Sequence, residues 1–174
     1  MKNDKPLRGI QAKGTVKAMF DGLIKVAVAS PELKVADCQG NADIIVRDIK
    51  IAEEMGIKLL VFPELCISSY SLSDLFRQKV VLDGSLRALE KIKNATVSSD
   101  MLVFVGLPFC FDGALYNCAA AVSNGSILGL VPKTNIPGYS EFYESRHFSP
   151  APKDISEIVL FGERIPFGAK LLFR

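Results

Sequence analysis

Two ionisable residues in this sequence stand directly after apolar, strand-like runs. Glu64 lies in Phe62-Pro63-Glu64-Leu65 after Lys58 to Phe62, and Lys133 lies in Val131-Pro132-Lys133-Thr134 after Ser126 to Val131. In open α/β sheets, ligand and catalytic groups gather at the carboxyl ends of strands. A carboxylate there, flanked by Phe62, Pro63 and Leu65, loses part of its hydration, and its pKa is expected to rise toward that of a general base. A fixed ammonium at a strand end can stabilise negative charge developing on an oxygen. Each residue also has a plain reading: Glu64 as a helix cap or solvated loop glutamate, Lys133 as a surface lysine. Eight residues after Lys133 comes Glu141, in Tyr139-Ser140-Glu141-Phe142-Tyr143-Glu144. Such an acidic and aromatic cluster either lines a pocket for a polar ligand or pins its loop through the aromatics.

Other chemistries find less support. The four cysteines, Cys38, Cys66, Cys110 and Cys118, form no CxxC pair, and with His147 as the single histidine a Cys/His zinc site is not expected. A Ser-His-Asp triad would have to use His147, and no GxSxG motif is present. His147 is expected to be a loop residue packed near Arg146 and Phe148. Cys110 and Cys118 fall in apolar strands and are expected to be buried and inert.

The elements that position Glu64 and Lys133 follow from periodicity. Leu23 to Ser30 is a β-branched apolar run stopped by Pro31, and Lys58 to Phe62 is a second, stopped by Pro63. Between them a helix is predicted from a cap at Asn41 to about Met55, with Ala42, Ile45, Ile49 and Ala52 on one buried face and Gly56 ending it. Strand, helix and strand in this order make a βαβ unit with parallel pairing. Leu72 to about Lys93 reads as helical, in one or two pieces, and Met101 to Leu107 as a third buried strand. Leu115 to Val122 and Ser126 to Val131 form a hairpin across Asn124-Gly125. An irregular segment from Pro132 to Pro152 follows, of a length that is usually functional, and Ile155 to Phe161 with Ile165 to Phe173 reads as another hairpin.

Composition bounds the rest. The 174 residues are 49% apolar and 23% charged, the profile of one α/β globular domain or part of one. A net charge of +2 on scattered Lys and Arg argues against a nucleic-acid partner. No apolar run approaches the roughly 18 residues of a bilayer span, so no membrane partner is expected. Residues 1–18 are polar and basic, without the apolar stretch of a secretory signal, and read as a flexible extension; the folded part is expected over 19–174. A reducing cytoplasm is the expected compartment.

Together the motifs resemble the carbon–nitrogen hydrolase (nitrilase) superfamily: Phe62-Pro63-Glu64 after the second strand, Pro132-Lys133 after a hairpin, and Glu-Phe-Tyr-Glu eight residues later. Three longer blocks, KVAVASPELKVADCQGNA (Lys25 to Ala42), FPELCISSYSLSDLF (Phe62 to Phe76) and LYNCAAAVSNGSILGLVPKTNIPGYSEFYESRHFSPA (Leu115 to Ala151), look like the N-terminal glutaminase domains of glutamine-dependent NAD synthetases. That resemblance implies an α-β-β-α sandwich, here its N-terminal portion only, with most of one sheet and the start of another. It implies Glu64 as general base, Lys133 as stabiliser of the oxyanion and the ionised thiol, and Glu141 as the supporting acid. Tyr70, Tyr139 and Phe142 match positions that shape the glutamine pocket. Cys66, beside Glu64, falls where members carry varied small residues and is expected to pack.

The implied reaction is hydrolysis of the glutamine side-chain amide through a cysteinyl thioester, with ammonia passed to a synthetase domain. The glutaminase needs no cofactor; ATP and Mg2+ belong to that other domain, where nicotinic acid adenine dinucleotide becomes NAD. The family's nucleophilic cysteine lies beyond a segment like Gly162 to Phe173, so this sequence is expected to be an inactive fragment whose partners are glutamine and the rest of the synthetase. The parent is expected to be a homo-oligomer. Two alternatives stand beside this reading: a truncated stand-alone amidase or carbamoylase, and a non-catalytic binding module on the same fold.

Overall fold

In the computed structural model, residues 23–140 and 142–173 are described. The predicted extension at 1–18 and Glu141 therefore lie outside the described residues. Strand β1 (Val26–Val28), helix α1 (Cys38–Glu54) and strand β2 (Leu59–Val61) form the expected βαβ unit, with β1 and β2 parallel. A 3-10 helix (Tyr70–Arg77) and helix α2 (Lys79–Ala95) follow, so the predicted helical stretch comes in two pieces. Strands β3 (Leu102–Phe111), β4 (Ala114–Ser123) and β5 (Ser126–Pro132) make an antiparallel meander, and β4 turns into β5 at Asn124-Gly125. A one-turn helix α3 (Glu144–His147) interrupts the predicted irregular segment, and β6 (Ser156–Leu160) with β7 (Glu163–Phe167) forms the last hairpin.

The predicted face of α1 is correct: Ala42, Ile45, Ile49 and Ala52 are all fully buried. Burying isoleucines such as Ile45 and Ile49 contributes about 1.5–3 kcal/mol each. The predicted cap is not. Helix α1 begins four residues earlier, where the Asp37 carboxylate accepts from the Gly40 N–H at 2.9 Å. Asn41 lies inside the helix and is fully buried; its amide donates to the carbonyls of Lys34 and Ile67. It ties the chain entering α1 to the loop leaving β2.

All seven described strands join one sheet in the order β1-β2-β3-β4-β5-β7-β6. The expected start of a second sheet is not present among the described residues. Instead β7 pairs parallel with β5, at Leu130 and Phe167, so the last hairpin continues the first sheet. Alternation along the strands divides the sheet. Leu60, Val103, Val105, Ala120, Val122 and Leu130 enter the core cluster with the apolar faces of α1 and α2. On the opposite face Val26 and Val28 are exposed, and Phe104 meets Phe173 edge-on at 5.7 Å. That second face carries the site.

Candidate active site

Glu64 is placed by the chain reversal after β2. The Phe62 N–H donates to the Phe104 carbonyl at 2.9 Å, which continues the β2–β3 pairing up to Pro63. Leu65, fully buried, then takes φ +52°, an uncommon conformation for a branched residue. Gly106 makes this turn possible: a Cβ there would sit 2.3 Å from the Leu65 nitrogen and 2.8 Å from the Pro63 oxygen. The Gly106 carbonyl also accepts from the Ile67 N–H at 3.1 Å. Lys133 is placed by the end of β5. Its N–H donates to the Asn117 carbonyl at 2.8 Å, and its own carbonyl accepts from the Ala151 N–H at 2.9 Å.

These two placements bring the side chains together. Lys133 Nζ lies 2.8 Å from Glu64 Oε1 and 2.9 Å from Glu144 Oε2. Glu144 opens α3 and is almost fully buried, and the Tyr70 hydroxyl donates to its Oε1 at 2.7 Å. The Asn117 amide donates to Glu64 Oε1. Burial pulls the Lys133 ammonium down, but the hydrogen bonds and charges of Glu64 and Glu144 outweigh it, leaving lysine above its ordinary value. Burial, and then the hydrogen bond and charge of Glu144, push the Tyr70 phenol up.

Three of the residues singled out in the sequence, Glu64, Lys133 and Tyr70, thus belong to one network. Tyr139 and Phe142 pack edge-on against each other at 5.8 Å and make no hydrogen bond to that network among the described residues. Glu144 and Asn117 are participants the sequence reading did not assign. Glu144 stood in the acidic cluster but without a helical period to aim it. Asn117 had a usable signal, since a lone amide in the apolar run Leu115 to Val122 needs a partner when buried.

Beside Glu64, Asn117 and Lys133 opens a mainly apolar cleft of about 540 Å³, walled by Val61, Phe62, Phe104, Ala119 and Val131. None of the four thiols hydrogen-bonds to Glu64 or Lys133 among the described residues. Cys66, as expected, packs: its sulfur accepts from the Gly106 N–H at 3.3 Å, and burial pushes its thiol up to about 12. Cys118 is buried as predicted, and burial raises its thiol too. Cys38 is buried beside Ser85. Cys110 departs from expectation and is exposed, near the end of β3 where its side chain leaves the core. His147 packs its ring against Phe76 at 5.7 Å and Phe148 at 6.3 Å.

A carboxylate and an ammonium thus meet at two strand ends over an apolar cleft. The chain belongs to the carbon–nitrogen hydrolase family, whose family model matches residues 25–170. It is 34% identical over 154 residues to the glutamine-dependent NAD(+) synthetase of Mycobacterium tuberculosis, covering 87% of this chain and 22% of that protein. The crystal structure of a glutamine-dependent NAD(+) synthetase from Cytophaga hutchinsonii superposes with a TM-score of 0.77 at 28% identity, covering 83% of this chain and 25% of that one. A mutant of an amidase from Nesterenkonia, in the nitrilase superfamily, shares the fold with a TM-score of 0.62 at 22% identity, over 82% of this chain and 54% of its own. The chain thus spans about a quarter or less of the synthetases it matches, and no helix among its described residues is long and apolar enough to cross a membrane.

Proposed function

We propose that this chain is part of the glutaminase of a glutamine-dependent NAD synthetase and carries its general base and oxyanion lysine. The observation that supports this most is the 2.8 Å contact between Glu64 and Lys133 at the mouth of the cleft. In the proposed reaction Glu64 takes the proton of a cysteine thiol, and the thiolate adds to the side-chain carbonyl carbon of glutamine. Lys133 stabilises the oxyanion of the tetrahedral intermediate. Glu64 returns its proton to the departing nitrogen as ammonia leaves, and then deprotonates the water that hydrolyses the thioester.

Glu144, itself accepting from the Tyr70 hydroxyl, is the second carboxylate on the Lys133 ammonium and keeps it charged and fixed. Glu141 is the residue the family resemblance assigns to support, and Glu144 now shares that proposal on its contacts. Tyr70, Tyr139 and Phe142 remain the proposed walls of the glutamine pocket. The nucleophile is assigned to sequence outside this chain, because Cys38, Cys66 and Cys118 are buried and Cys110 lines a different cavity, with Arg77 and Lys79.

The ammonia would serve an ATP- and Mg2+-dependent ligase domain of the same parent, acting on nicotinic acid adenine dinucleotide. A homo-oligomeric parent in a reducing cytoplasm fits four unpaired cysteines and the exposed Leu75 of the 3-10 helix and Val80 of α2.

Ammonia release from glutamine tests the proposal. The 174-residue chain should release none above the uncatalysed rate, and a full-length synthetase that carries this sequence should release it steadily. Release by the 174 residues alone would show that the nucleophile has been misassigned.

A further inference from the structure

One residue is bonded to both halves of the site. Asn117 lies in β4 on the cleft face and is 3% exposed. Its main-chain oxygen accepts from the Lys133 N–H at 2.8 Å, and its side-chain Nδ2 donates to Glu64 Oε1. Lys133 Nζ donates to the same Oε1 at 2.8 Å. Two donors therefore converge on one carboxylate oxygen, while Oε2 accepts no hydrogen bond among the described residues. A carboxylate held by one flexible ammonium alone can present either oxygen to it, because Lys donates as a point charge. The amide removes that freedom. It does so as a neutral donor, without adding a second cation to the site.

We propose that Asn117 is a positioning residue that commits Oε1 of Glu64 to the protein and leaves Oε2 as the oxygen that takes the thiol proton. This rests on the glutaminase reading above. In that step the S–H bond breaks, its electron pair stays on sulfur, and the new O–H bond forms at Oε2. The same proton later leaves Oε2 for the departing nitrogen. Loss of the Nδ2 donor frees the carboxylate to rotate and to turn Oε2 away from the thiol.

The test is the steady-state kinetics of glutamine hydrolysis by the full-length protein that carries this sequence, compared among wild type, Asn117→Leu and Asn117→Asp. Asn117→Leu keeps the volume and removes the donor. It should lower kcat about 10- to 100-fold with little change in KM. Asn117→Asp keeps the shape but sets a second carboxylate against Oε1, and should lower kcat at least as far, again with little change in KM. A residue that merely supports the strand would change the melting temperature and leave kcat of the folded enzyme in place. An unchanged kcat in a folded variant overturns the positioning role, and Asn117→Asp decides it should the leucine variant not fold. A wild-type protein that does not hydrolyse glutamine overturns the glutaminase reading itself, and this inference with it.

Discussion

Glu64 and Lys133, 69 residues apart in sequence, meet at 2.8 Å because β2 and β5 end on the same side of the sheet with β3 and β4 between them. Their contact is set by backbone: Gly106 seats the turn under Glu64, and Asn117 pairs with the main chain of Lys133. The side chains arrive already placed, which is what a reaction relying on fixed charge requires.

Replacing Lys133 by Met should affect both stability and activity. Glu144, only 6% exposed at its side chain, would keep the Tyr70 hydroxyl but lose its cation. Leaving a buried charge unpaired costs about 3–5 kcal/mol, and partial exposure of Lys133 reduces this to about 2 kcal/mol here. Urea denaturation of the variant should show a lower midpoint at unchanged slope, and Lys133→Met/Glu144→Gln should recover part of the loss. A single variant as stable as wild type would mean that Glu144 is not held as described.

Gly106→Ala probes the seat of Glu64. The added methyl would strike backbone atoms of Pro63 and Leu65, which cannot swing away as a side-chain tip would. Overpacking of this kind costs roughly 1–3 kcal/mol and should displace Glu64 as well. Thermal melting of Gly106→Ala against Gly129→Ala, whose new methyl meets mainly the side chains of Leu171 and Phe173, separates backbone from side-chain crowding. The larger drop is expected at Gly106.

Alkaline stability follows from raised values at Cys38, Cys66, Tyr70, Tyr116, Cys118 and Lys133. Cys66 and Cys118 are raised by burial; Tyr70 is raised by burial and Glu144; Lys133 is raised by its two carboxylates against the pull of burial. A group whose folded pKa lies above its unfolded value contributes stability in full below the unfolded value and loses it as pH climbs toward the folded one. For Cys66 that window runs from 9.0 to about 12. The melting temperature should therefore be level near pH 8 and fall steadily above pH 9.0, and Cys66→Ala should flatten the first part of the fall. A melting temperature that rises through this window would contradict the burial described.

Thiol labelling gives a faster check of the same packing. Cys110 is exposed, whereas Cys38, Cys66 and Cys118 are buried. An alkylating reagent at pH 8 should modify one thiol quickly and the other three only on unfolding. Mass spectrometry of digested peptides should place the first label on Cys110. Early labelling of Cys66 would mean that the loop carrying Glu64 opens in the native state.

Much of the frame was legible because its signals were local. Pro31 and Pro63 mark the strand ends, Asn124-Gly125 marks the hairpin, and the spacing of Ala42, Ile45, Ile49 and Ala52 gives the buried face of α1. The cap moved to Asp37 because Asn41, equally suited to capping by type, is needed inside the helix to bind Lys34 and Ile67. The site was legible where a charged residue followed an apolar run, as at Glu64 and Lys133. Glu144 was harder: its direction depends on the single turn of α3, too short to leave a period. Asn117 lies within a strand, and which face of β4 meets the cleft is set by pairing with β3 and β5, not by its own run of sequence. That the β6–β7 hairpin joins β5 in the same sheet depends likewise on a long-range pairing.

Glu64 is proposed as the base of an amide-hydrolysing site. The most direct measurement is the glutaminase kcat/KM of Glu64→Gln against wild type in the full-length protein that carries this sequence. Glutamine keeps the size and the acceptor for Lys133 but cannot take a proton. A loss of at least about 100-fold, with an unchanged melting temperature, is the expected result. A Glu64→Gln protein that hydrolyses glutamine at the wild-type rate would contradict it.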